Sequence, residues 1–287
     1  MKWTVPLKWH RRFHPSSFIL HPYSSMPIII KTRREIELMR AAGRLGHQIL
    51  QKMKSAVRPG VSTARLNDIA RDELAQNGAI GLSKNYPTYK PGEGYPAETC
   101  ISVNEEVVHG VQGPRTLKEG DVVTLDLALS FEGYCADTAI TVPVGSISPQ
   151  AQKLLNITSQ TLDLALEHIK PGKKWSEIAR LMQYNVEKNG FSVIREFVGH
   201  GIGRTMHEDP KVPNFVTAEQ LRGDFKLRTG MTLAVEPMVV AGRRDVRILE
   251  DNWTVVTEDR KPAAHFEHTI AVTETGVDIL TDGSISA

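Results

Sequence analysis

The 287-residue sequence predicts an α+β domain in which helices cover one side of a mainly antiparallel sheet. Three observations carry that prediction. A helix–turn–helix design occurs twice, 112 residues apart. Runs rich in Val, Leu and Thr follow each copy. Acidic residues recur at matching places within those runs.

The first helix begins after Lys31. Leu38, Ala42, Leu45, Ile49 and Met53 fall at three- and four-residue steps and form an apolar stripe. Arg58-Pro59-Gly60 breaks it, Ser62 or Thr63 caps a second helix, and Asn77-Gly78 ends that one. The second helix faces inward through Leu66, Ile69, Ala70 and Leu74. In the second copy, Leu155, Leu162, Leu166 and Ile169 supply the first stripe. Lys170-Pro171-Gly172 matches Arg58-Pro59-Gly60, and Ile178, Leu181, Met182 and Val186 fall on the inner face of the second helix. Asn189-Gly190 then matches Asn77-Gly78. Such self-similarity reads as an internal duplication, with halves at about 31–145 and 150–280.

In the first half, 121–131 and 134–144 read as strands joined by a tight turn at Glu132-Gly133. In the second, 231–240, 247–257 and 265–273 read as strands. A two-residue turn would place Asp126 opposite Ala139 and Asp137 opposite Ala128, so both carboxylates share one face. Gly120 precedes Asp126 by six residues, and Gly230 precedes Glu236 by six. A later strand adds Asp137 in one half and Glu267 in the other. Histidines beside glycine, His109 and His200, complete the set.

A lone strand Asp is usually a solvated edge residue, and a lone His beside Gly is usually a turn residue. The full set of Asp126, Asp137, His200, Glu236 and Glu267 does not fit those bland readings. Carboxylates crowded into a buried sheet repel, and cations between them remove the cost. Four carboxylates and an imidazole suit two divalent ions, Mn²⁺, Fe²⁺ or Co²⁺ before a thiolate-type zinc site, with Zn²⁺ also accommodated.

Composition excludes several classes. Hydrophobic residues are 40% and charged residues 24%, ordinary for a globular chain, and no apolar run approaches a membrane span. Two cysteines, Cys100 and Cys135, make no disulfide scaffold and suit a reducing compartment. Residues 1–34 hold seven basic side chains and no acid, leaving 28 basic against 33 acidic residues in the rest. An acidic body argues against nucleic acid as a partner. Residues 1–25 read as a targeting peptide, a tail, or sequence upstream of a true start at Met26.

Five motifs in order resemble type I methionine aminopeptidases of peptidase family M24. They are Ile-Lys-Thr with Glu-Ile-Glu-Leu-Met-Arg-Ala-Ala-Gly ending at Gly43, Cys-Ile-Ser-Val-Asn-Glu-Glu-Val-Val-His-Gly at 100–110, Gly-His-Gly-Ile-Gly with His-Glu-Asp-Pro at 199–210, Val-Glu-Pro-Met at 235–238 and Glu-His-Thr at 267–269. The resemblance implies the pita-bread fold, with two pseudo-twofold αβ halves in one catalytic domain over 26–287. It implies that Asp126 chelates one ion, that Asp137 and Glu267 bridge both, and that His200 and Glu236 bind the other. It further implies hydroxide attack on the first peptide bond of chains beginning with Met, with His109, His207 and Glu236 as catalytic groups. His109 and His207 would also contact substrate. Tyr95, Cys100, Met206 and Trp253 would wall the methionine pocket, and Tyr86 or Tyr89 could replace Tyr95. The lack of a cysteine-rich extension and of a long insertion between His207 and Glu236 points to the compact bacterial or organellar type I form, and a monomeric cytoplasmic enzyme is expected. A ribosome contact would suit co-translational work, although nothing in the sequence demonstrates one. The alternatives are an Xaa-Pro aminopeptidase-like enzyme of the same fold and a non-catalytic binding module.

Overall fold

A computed structural model describes residues 27–87 and 94–284. The readings of residues 1–25 and of Tyr89 lie outside these. The first helix, α1 (Arg33–Ala56), starts with a capping box in which Thr32 and Glu35 satisfy each other's backbone N–H groups. In α2 (Thr63–Gln76) the cap is Ser62. In the second half, α3 (Pro149–His168) is capped by Ser148, and α4 (Trp175–Lys188) follows. Both ends of α2 and α4, and the C-terminal ends of α1 and α3, stand 112 residues apart. The connecting turns repeat too. Gly60 (φ 90°) and Gly172 (φ 88°) each donate to a leucine carbonyl at 2.8 Å, Leu117 and Leu227.

The helices lie on one face of a nine-stranded sheet whose pairings are all antiparallel. Along Val122–Phe131, the odd residues Val123, Leu125, Leu127 and Leu129 pack under α1 and α2 against Ala42, Ile49 and Leu66. The even residues Thr124, Asp126 and Ala128 face the other way, as period-two alternation requires. The second half repeats this with Leu233, Val235 and Ile270 beneath Ile178 and Met182. The two halves join where Glu267–Val272 pairs with Tyr134–Pro143, and there the ladder holds only Glu267↔Ala139 and His268↔Thr138. Threonines continue it: Thr138 Oγ1 donates to the Glu267 carbonyl, Thr269 Oγ1 to that of Asp137, and Thr141 Oγ1 to that of His265.

The first-half hairpin follows the expected register, with Asp126↔Ala139 and Asp137↔Ala128. Its turn residues Glu132 (φ 51°) and Gly133 (φ 79°) are both left-handed, as a tight hairpin turn demands. The second half departs from expectation. The predicted 231–240 strand breaks into Thr232–Val235 and Met238–Val240, because Pro237 has no N–H for a ladder. The 247–257 run is a hairpin, Val246–Ile248 with Val255–Thr257, turned by the stretch around Asp251. The 265–273 run splits at Phe266 into Ala263–His265 and Glu267–Val272. Met238–Val240, Ala263–His265 and Ser192–Val193 thereby form a separate three-stranded sheet.

Candidate metal centre

The helix-free face of the large sheet gathers the acidic residues in two rows. Register aligns Cys100, Asp126, Ala139 and Glu267 across four strands. Beside it, His200 pairs with Ala234 and Ala234 with Thr269, whose Oγ1 accepts from the Asp137 N–H. The residues that register sets among the charged ones, Ala128, Ala139, Ala234 and Thr269, carry small side chains. The expected set from both halves is thus carried on one surface.

Asp137, His200 and Glu267 each place a ligand-type atom within 4.8 Å of the others. His200 Nε2 lies 3.8 Å from Asp137 Oδ2 and 3.6 Å from Glu236 Oε1. Its Nδ1 sits 2.9 Å from the Gly201 carbonyl, which places the proton on Nδ1 and leaves the Nε2 lone pair facing the carboxylates. Asp126 is half-buried at the edge of this group, diagonal to Asp137.

Burial pushes the Asp126 carboxyl up to about 7. Burial, reinforced by the neighbouring carboxylates, raises Asp137, Glu236 and Glu267 well above the usual carboxylate range. Burial also lowers His200 to about 4 and His109 to about 4, so both imidazoles are neutral at pH 7. Four carboxyl groups with no basic partner in the recess would hold protons or cations. Asp137 Oδ1 and Glu267 Oε1 are buried without any hydrogen-bond partner. Hard oxygen donors left bare beside a neutral imidazole fit divalent ions.

Three of the predicted pocket residues come together. Tyr95, Cys100 and Trp253 form one apolar cluster with Ala97, and the Tyr95 and Trp253 rings meet edge to face at 5.1 Å. The Tyr95 hydroxyl donates to the Gly110 carbonyl at 2.7 Å, which fixes the ring. Cys100 is the cross-strand partner of Asp126, so this cluster adjoins the acidic group. Met206 is half-buried on the loop before His207 and is not among the residues packed there. Tyr86 does not enter the pocket cluster either; its hydroxyl sits 2.9 Å from His207 Nδ1. His207 is exposed, with its ring 4.3 Å from that of His200, while His109 is half-buried, edge-on to Phe197 at 5.3 Å.

Sequence reasoning missed His265. Its Nε2 lies 3.8 Å from Glu236 Oε2 and 3.8 Å from Glu267 Oε2. The available signal was alternation, since residue 265 is two before Glu267 in a run already read as a strand.

Residues 37–274 match metallopeptidase family M24. The chain belongs to that family. Within it, methionine aminopeptidase 1 of Bacillus subtilis (strain 168) is 47% identical over 254 residues, covering 88% of this chain and 99% of the relative. The crystal structure of methionine aminopeptidase from Thermotoga maritima superposes with a TM-score of 0.83 at 40% identity, covering 88% and 99% of the two chains. The prolidase from Pyrococcus horikoshii OT3 shares the fold, with a TM-score of 0.71 at 21% identity, but only 64% of its chain is covered. The chain is thus a peptidase of the methionine aminopeptidase branch, with the pita-bread fold. Among the described residues no helix is long and apolar enough to cross a membrane.

Proposed function

We propose that this protein removes the N-terminal methionine from peptides and new protein chains, using two divalent ions held by Asp126, Asp137, His200, Glu236 and Glu267. The observation that carries the reading is the adjacency of two unlike surfaces. An apolar cluster of Tyr95, Cys100 and Trp253 adjoins a group of bare carboxylate oxygens across the Cys100–Asp126 pair. An unbranched thioether side chain fits the first, and the adjoining peptide bond would then lie over the second. Manganese, iron and cobalt suit the donor set best, and zinc is accommodated.

Divalent ions bound there would make water nucleophilic near neutral pH and polarise the scissile carbonyl. The side chains do the rest. Glu236, next to both His200 and His265, is placed to pass a proton to the departing amine. His207, held at the rim by the Tyr86 hydroxyl, can donate to the carbonyl oxygen as charge develops. His109 has a buried Nδ1 without a partner and offers a hydrogen bond to the scissile nitrogen. Nothing in this scheme needs an oligomer, and the working unit is the monomer.

The test is a chelated protein reloaded with Mn²⁺ or Co²⁺ and given Met-Ala-Ser and Ala-Pro-Ala. Cleavage of the first alone supports the reading. Cleavage of the second would favour the Xaa-Pro reading, and loss of neither residue would favour a binding module.

A further inference from the structure

Of the buried polar groups that the proposed chemistry does not use, His265 has the most informative surroundings. Its side chain is 2% exposed, and neither ring nitrogen has a hydrogen-bond partner. An imidazole so placed forfeits water at both nitrogens, a cost that folded proteins rarely leave uncompensated. The backbone is held at three points. Its N–H donates to Thr141 Oγ1 at 2.8 Å, its carbonyl accepts from the same hydroxyl at 2.8 Å, and it pairs with Met238 in the small sheet. Thr124 in turn bonds Thr141 at 2.8 Å. The backbone that carries the ring is thus fixed in place. The ring points Nε2 at Glu236 and Glu267, 3.8 Å from an oxygen of each.

We infer that His265 is a positioning residue of the metal centre, its Nε2–H orienting the carboxylates of Glu236 and Glu267 toward the ions. Ionised carboxylates only accept, so an imidazole facing two of them carries its proton on Nε2. Each gap of 3.8 Å is longer than a hydrogen bond, and in this role a carboxylate oxygen must close it when ions are bound. A partner of this kind fixes which lone pairs of Glu236 and Glu267 point inward, as outer hydrogen bonds do for metal ligands generally. His265 stands at the Glu236–Glu267 side of the group, while His200 faces Asp137 and the other oxygen of Glu236.

The inference rests on the metal-binding reading above, and one experiment separates the two. Chelated wild-type protein, His265→Leu and His265→Gln are titrated with Mn²⁺ alone by calorimetry, and their Co²⁺ visible spectra are recorded. Thermal unfolding of the chelated proteins checks that each is folded. His265→Leu should bind Mn²⁺ roughly 10- to 100-fold more weakly and shift the Co²⁺ bands. Gln keeps an N–H donor and should recover most of the affinity. If Leu does not fold, His265→Ala replaces it. Wild-type affinity and an unchanged Co²⁺ spectrum in a folded Leu or Ala variant would overturn the role of His265 alone. So would a folded Gln variant as weak as Leu. Wild-type protein that takes up no Mn²⁺ would overturn the metal-binding reading as well.

Discussion

The two halves share their helices almost residue for residue and then part company in their strands. Eleven residues separate Asp126 from Asp137, whereas 31 separate Glu236 from Glu267. The first half spans its short interval with an unbroken ten-pair hairpin. In the second, Pro237 stands where the first has Leu127, and the strand cannot continue past Glu236. The surplus forms the hairpin Val246–Ile248 with Val255–Thr257, which crosses to pair with Glu106–Val108 of the first half. On its way it delivers Trp253 to Tyr95 and Cys100. Duplication therefore supplies a matched pair of carboxylates from each half, and the broken strand supplies Trp253 to the apolar cluster beside them. One half is a rigid floor; the other has been opened to reach over it.

The largest expected effect comes from removing a ligand that only the second half provides. His200→Ala should lower kcat/KM at least about 10³-fold, or about 4 kcal/mol of barrier, in protein whose unfolding is otherwise normal. Retained turnover would mean that His200 is not a ligand and that the second half contributes only its carboxylates. Removing the reach of the second half should act on binding instead. Trp253→Leu should raise KM for Met-Ala-Ser roughly tenfold with kcat little altered. An equal fall in kcat would place Trp253 in the chemistry.

The shared design of the halves could be read before the fold was known, and the unread asymmetry has one cause. Helix stripes, Pro-Gly breaks and the Glu132-Gly133 turn are local signals, so the helices, the duplication and the first hairpin register followed directly from them. Strand breaks at Pro237 and Phe266 depend on which neighbour the chain next pairs with. That choice is non-local, and 231–240 and 265–273 accordingly looked continuous. His265 was missed although alternation carried the signal: it stands two residues before Glu267, and Thr141 Oγ1 accepts from its backbone N–H. The acidic set was legible because repetition exposed it, with Gly120 and Gly230 as landmarks. Tyr95 and Trp253 come together across 158 residues, and only resemblance suggested that.

Acid–base behaviour sharpens the contrast on the first-half side. Asp126 titrates near 7 in the folded chain against a normal value of 3.8, so the folded state binds the extra proton. Its contribution to stability is complete below about pH 4 and is lost as pH rises through 7. Chelated Asp126→Asn should therefore show a shallower fall in melting temperature between pH 5 and 7 than chelated wild type. Identical slopes would mean that burial does not raise the Asp126 carboxyl. The smallest effect belongs to the floor itself. Gly133→Ala meets no neighbouring atom, so only its left-handed φ of 79° opposes the change. It should cost about 1 kcal/mol of stability by denaturant titration and leave turnover untouched.

Anomalous diffraction at the manganese edge, from crystals grown with Mn²⁺, tests most directly whether the halves share one centre. Peaks should fall between Asp137, His200 and Glu267, with Asp126 and Glu236 in contact. Peaks elsewhere, or none at full Mn²⁺ occupancy of the solution, would contradict the account.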